Sequence, residues 1–131
     1  MIFVPKQERK VGLKEGKFYP CAKNACVSTM ANKDDEKRYI EPIKYNISMA
    51  DAKSKIKHIV VSLKRTQLLE DNVNYLRFQF TTGLFRFKDD VEFLFNDNDK
   101  VIHFRSQSRL GGYDYGTNRK RMEKIRKLFF K

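Results

Sequence analysis

The chain has 131 residues, with 28 Lys and Arg against 16 Asp and Glu, for a formal charge of +12. That length suits one domain, and 40% hydrophobic residues supply a core without staples, so the 34% charged content does not imply disorder. No apolar run approaches the ~20 residues that span a bilayer, and the apolar stretch at Met1–Pro5 is too short for a signal peptide, so the expected location is the cytoplasm.

The basic excess favours polyanionic partners: nucleic acid, anionic lipid headgroups or an acidic protein. The plainer alternative is a solubilising surface. Two cysteines, Cys21 and Cys26, with only His58 and His103 elsewhere, make a poor metal site, because the paired Cys and His spacings of zinc sites are missing. The same two cysteines could close a small disulfide loop in an oxidising compartment.

Residues 1–46 show no sustained periodicity. Pro5, Gly12, Gly16, Pro20 and Pro42 punctuate them, so they read as an extended, loop-rich arm lying across a core formed by residues 47–131. A short strand near Lys44–Ile47 could precede the first helix, expected at about Met49–Leu63. There Ser48 can act as N-cap with Asp51 three residues on, and Ala52, Ile56, Ile59, Val60 and Leu63 fall on one face.

Strands follow at Thr66–Asp71 and Tyr75–Thr81. The second alternates Leu76, Phe78 and Phe80 against Tyr75, Arg77 and Gln79. Phe85–Phe95 carries apolar residues at odd positions, either as one long strand or as two broken near Lys88–Asp89. Asn96–Asp99 is a turn signal, and Val101–Arg109 is the last strand. Gly111–Gly112 ends the sheet, residues 113–118 form a loop, and a second helix is expected at about Arg119–Phe130 with Thr117 or Asn118 as N-cap. Met122, Ile125, Leu128 and Phe129 form its apolar face. The expected fold is α+β: a four-stranded antiparallel meander with two helices on one sheet face and the arm outside.

The turn at Asn96–Asp99 suggests a register. If Phe95 faces Lys100, Phe93 meets Ile102 and Val91 meets Phe104 on the buried face, while Glu92 meets His103 and Asp90 meets Arg105 on the other. That other face, open to solvent or a partner, then carries His103, Arg105, Gln107 and Arg109 in a row. Either Asp90 and Glu92 form a salt-bridge ladder with it, or the arginines hold an anion that the carboxylates help orient, since the guanidinium fork suits carboxylate and phosphate. Arg119 and Arg121 open the last helix, where free amides favour an anion, or where Asp114 compensates them. Arg105, Arg109, Arg119 and Arg121 are therefore the candidate anion ligands. Asp90, Glu92, His103, Ser106, Ser108, Asp114 and Asn118 are the supporting residues.

The segments Phe87–Phe93, Val101–Arg109 and Gly112–Arg121, with Cys21-Ala22-Lys23-Asn24-Ala25-Cys26-Val27-Ser28-Thr29 upstream, resemble the signature of the domain of unknown function 1499 family from about Pro20 to the end of the chain. The resemblance implies no defined activity. Many members look exported, lipid-anchored or plastid-targeted.

Three readings of function remain open. One is a non-enzymatic binding or accessory domain for an anionic small molecule or acidic macromolecule. Another is an enzyme using Cys26 with His103, or Asp90 with Glu92, as nucleophile–base or acid–base pair. The third is a nucleic-acid binder, permitted by charge and by Tyr113 and Tyr115 but without a recognised motif. No nucleophile elbow, phosphate loop, zinc-protease or dinucleotide motif is present, and no cofactor is expected.

Overall fold

A computed structural model describes residues 10–22, 24–110 and 116–131. Asp114, the Gly111–Gly112 break and most of the loop expected at residues 113–118 lie outside the described residues.

In chain order the elements are β1 (Leu13–Lys14), β2 (Lys17–Phe18), β3 (Cys26–Ser28), β4 (Ile43–Lys44), α1 (Met49–Ser62), β5 (Thr66–Asp71), β6 (Tyr75–Thr81), β7 (Lys88–Asn96), β8 (Val101–Ser108) and α2 (Thr117–Phe129). The fold is α+β, but the sheet is not a four-stranded meander. It has six antiparallel strands in the order β3-β8-β7-β6-β5, with β4 also on β8, beside a separate β1–β2 hairpin. The additions come from the segment expected to be an arm. At three and two residues, β3 and β4 are too short to show alternation; their pairing with β8 specifies them, not their own pattern.

The Ser48 side chain caps α1, its Oγ accepting from the Asp51 amide at 3.0 Å. Ala52, Ile56, Ile59 and Val60 bury its apolar face. Lys53 and Lys57 reach from α1 to Asp71 on β5, holding its carboxyl below the usual carboxylate range by direct hydrogen bonds. α2 starts two residues earlier than the sequence suggests. Its N-cap is Gly116 in a left-handed conformation at φ 79°, not Thr117 or Asn118. Asn118 instead turns inward and is fully buried.

Both helices lie over the face formed by the odd residues of β7. Val91, Phe93 and Phe95 join Leu76, Phe78, Phe80, Ile102 and Phe104 beneath Ile56, Val60, Met122, Ile125 and Phe129 in one core. Phe78 and Phe93 meet edge to face with centroids 5.9 Å apart.

The β7–β8 register differs from the expected one by two residues. Glu92 faces Arg105, Asp90 faces Gln107, Phe93 faces Phe104 and Phe95 faces Ile102. The strand extends through Asn96, whose Oδ1 accepts from the Asp99 amide at 3.1 Å, and Lys100 enters the turn at φ 56°. A slip of two keeps every side chain on its expected face and changes every partner.

The second sheet face is covered around Tyr75, Glu92, Leu94 and Arg105. Residues 10–20 cross it, turning through β1 and β2 at Glu15 and Gly16, both at positive φ as a two-residue hairpin turn requires. Phe18 packs there with Tyr75, Leu94 and Met30.

Candidate functional site

Alternation on β7 divides its carboxylates between the two faces. Asp90 and Glu92 point towards residues 10–20, whereas Asp89 points towards α2. Each is buried, between 0 and 5% exposed, and each is held by arginine.

Glu92 is the centre of the arm-side network. Its Oε1 accepts from Arg105 Nε at 2.8 Å and Nη2 at 2.6 Å. Its Oε2 accepts from the Tyr75 hydroxyl at 2.6 Å and the Gly12 amide at 2.8 Å. Arg105 also donates to the carbonyls of Tyr19 at 2.6 Å, Lys10 at 2.7 Å and Pro20 at 3.5 Å. All five guanidinium N–H groups thus have acceptors. Burial, reinforced by the neighbouring Glu92 charge, pushes the Tyr75 hydroxyl far above its ordinary range and keeps it a donor.

Asp90 receives a two-pronged contact from Arg109, Nε at 3.1 Å and Nη2 at 3.0 Å, and lies 3.5 Å from Arg77 Nη1. Arg77 is anchored from the other side by Glu70 at 2.9 Å.

The α2-side network is separate. Arg121 Nη2 donates to Asp89 Oδ2 at 2.6 Å, while its Nη1 donates to Ser106 Oγ at 3.0 Å and Asn118 Oδ1 at 2.9 Å. The same guanidinium stands 4.7 Å from the centre of the Phe80 ring. Ser106 Oγ donates to Asn118 Oδ1 at 2.6 Å, and Asn118 Nδ2 donates to the Ala25 carbonyl and Ser108 Oγ, both at 3.2 Å. Asp89 Oδ1 is buried without a hydrogen bond.

The sheet therefore separates the four candidate arginines. Arg105 and Arg109 lie on the arm side with Asp90 and Glu92, and Arg121 lies on the α2 side with Ser106, Ser108 and Asn118. Arg119 turns away from both and donates to the Tyr39 carbonyl at 2.7 Å and to those of Glu36 and Lys37 at 3.3 Å. Arg126 grips the Glu41 and Pro42 carbonyls in the same way. His103 joins neither network. It is opposite Leu94, with Nδ1 2.9 Å from Thr29 Oγ1, and burial lowers its pKa so that the ring is neutral at pH 7.

Cys21 and Cys26 form a disulfide, their Cα atoms 5.7 Å apart. Cys26 pairs with Gln107 on β8, whereas His103 lies four residues along that strand, so the two make no nucleophile–base pair. The bridge fixes the chain that carries the Tyr19 and Pro20 carbonyls beside β3. Closing a loop of this size stabilises by about 2 kcal/mol on the chain-entropy account. The Cys21→Ser/Cys26→Ser variant is therefore expected to lose about that much in urea unfolding; equal midpoints with and without the bridge would contradict it.

Sequence reasoning missed Asp89, Arg77 and Tyr75. Alternation from Tyr75 to Gln79 was the available signal for Arg77 and Tyr75. The carbonyls that engage Arg105 and Arg119 carried none, since every residue has one. Among the described residues no three His, Cys, Asp or Glu side chains gather as metal ligands, and no helix is long and apolar enough to cross a membrane.

No curated protein shows significant similarity to the chain. A family model described as "Protein of unknown function (DUF1499)" matches residues 18–129, which include every described residue of both networks except Lys10 and Gly12. The chain belongs to that family.

Proposed function

We propose that the protein is a non-enzymatic binding or accessory domain for an acidic macromolecule, met by the lysine face of α2. Lys120, Lys124 and Lys127 recur at helical spacing on α2, Lys131 follows just beyond its end, and all four are exposed. Lys55 extends the same surface, its Nζ 4.7 Å from the Phe129 ring centre. The single acid on α2, Glu123, pairs with Arg126 at 3.1 Å.

The observation that carries this reading is the burial of the compensating acids. Asp89, Asp90 and Glu92 neutralise arginines inside the fold, which leaves the lysine charge facing water without a counterpart on its own helix. In this reading the arginines hold the frame and the lysines meet the partner. The disulfide supports an oxidising compartment over the cytoplasm, because such bridges persist where thiols are not kept reduced.

The test is titration with poly-L-glutamate and with single-stranded DNA at increasing salt. Affinity for poly-L-glutamate should fall steadily with ionic strength. Lys120→Glu/Lys124→Glu/Lys127→Glu should weaken it by about ten-fold or more with an unchanged melting temperature. Wild-type affinity in that variant, or binding that ignores salt, would overturn the reading. Preference for the DNA would move it to nucleic acid.

A further inference from the structure

The β6–β7 connection leaves large apolar side chains in water at one end of the sheet. Leu84 is 84% exposed, Phe85 69%, Leu110 59% and Phe87 46%. They are neighbours. The hairpin is closed by the Thr82 amide on the Phe87 carbonyl and the Phe87 amide on Thr82 Oγ1, both at 2.8 Å. Phe85 and Phe87 stack with centroids 5.6 Å apart. The Arg109 amide donates to the Lys88 carbonyl at 3.0 Å, which sets Leu110 next to the same tip. Single exposed hydrophobic residues are ordinary on protein surfaces, but four gathered at one tip mark an interaction site.

The surroundings of the tip are basic. Arg65 Nε donates to the Thr81 carbonyl at 3.0 Å, and its guanidinium lies against Gly83, where an added Cβ would come within 3.1 Å of Nη2. Lys64, Arg86 and Lys88 are exposed on adjoining positions. Among the described residues none of these four cations makes an ion pair. The nearest acids along the chain, Asp89 and Asp90, are buried and paired with Arg121 and Arg109. The tip is thus a projecting apolar cap within a collar of positive charge.

We propose that this tip docks on an anionic lipid bilayer, with Leu84, Phe85, Phe87 and Leu110 entering the headgroup–acyl boundary while Lys64, Arg65, Arg86 and Lys88 meet the lipid phosphates. A convex cap suits a deformable interface, whereas a protein partner would have to offer a matching groove. Aromatic side chains favour that depth, and basic residues nearby add attraction to anionic headgroups. This surface is distinct from the α2 lysine face and does not depend on it.

The chain contains no Trp, so Phe85→Trp gives a single indole reporter at the tip. With vesicles of phosphatidylglycerol and phosphatidylcholine its emission should shift to the blue; with phosphatidylcholine alone the shift should be much weaker. In vesicle co-sedimentation of the otherwise unaltered chain, Leu84→Ser/Phe85→Ser should weaken binding by about ten-fold or more. Arg86→Gln/Lys88→Gln should weaken it by about five-fold per charge. These side chains are exposed, so melting temperatures should hold, and circular dichroism checks that they do. Wild-type binding by the Leu84→Ser/Phe85→Ser variant would overturn the proposal, because charge alone would then explain adsorption. Absence of vesicle binding alongside retained poly-L-glutamate binding would overturn it while leaving the α2 reading intact. Dimerisation abolished by the tip substitutions, without a vesicle effect, would assign the tip to a second copy of the chain instead.

Discussion

Replacing Arg105 by Met should cost about 3–5 kcal/mol of stability, because it leaves an unpaired charge inside the fold. Arg105 and Glu92 are 1% and 0% exposed. Without the guanidinium, Glu92 keeps the Tyr75 hydroxyl and the Gly12 amide, but no cation balances it. The carbonyls of Lys10, Tyr19 and Pro20 lose their donor at the same time, so the loss should extend to the docking of residues 10–20. Urea unfolding should report the energy, and limited proteolysis should show new cleavage between Lys10 and Tyr19. The comparison with Arg105→Met/Glu92→Met separates pairing from packing. Removing both charges should recover part of the loss, since a buried ion pair replaced as a unit by apolar groups of similar volume is often near neutral. A single-variant cost under about 1 kcal/mol would be that of an exposed pair, and would mean that Arg105 does not hold this face together.

Why this arrangement was only partly legible in the sequence follows from how each part is specified. The alternation of β6, β7 and β8 assigns every one of their side chains to a face, and it already places Arg105, Arg109, Asp90 and Glu92 together. Hairpin register depends on the loop, and Asn96 reads equally well as a turn residue or a strand end. The two-residue difference made Arg105 the partner of Asp90 on paper and of Glu92 in the structure. The adjacent Asp89 and Asp90 look equivalent as letters; the pleat sends one to Arg121 and the other to Arg109. Closure of the second face by residues 10–20 rests on the Phe18 side chain and on backbone carbonyls and one amide, and those backbone groups leave no mark in composition or periodicity. The sequence pattern therefore suggests an open basic row, whereas Arg105 in that row lies beneath the covering segment. Exposure of Leu84 and Phe85 was likewise hidden, since a strand running from Phe85 would have folded Phe85 and Phe87 into the core ladder, whereas β7 begins at Lys88.

Replacing Arg121 by Ala should cost about 3 kcal/mol or more, a fall in melting temperature of about 10 °C for a domain of this size. Asp89 is 1% exposed, and its Oδ1 has no hydrogen bond, so among the described residues Arg121 is the one side chain that donates to its carboxylate. The same substitution removes a donor from Ser106 and Asn118 and the cation above Phe80. Arg121→Lys should fall between wild type and Ala. An ammonium can reach a carboxylate as a point charge but cannot serve Asp89 on one arm and Ser106 with Asn118 on the other. Asp89→Asn in the Arg121→Ala background should return stability, because it removes the uncompensated charge while keeping the shape. If Arg121→Ala/Asp89→Asn were no more stable than Arg121→Ala, the cost would lie in the Ser106–Asn118 contacts. The α2 amino-terminal turn would then be held by neutral hydrogen bonds, with the Asp89 pair contributing little.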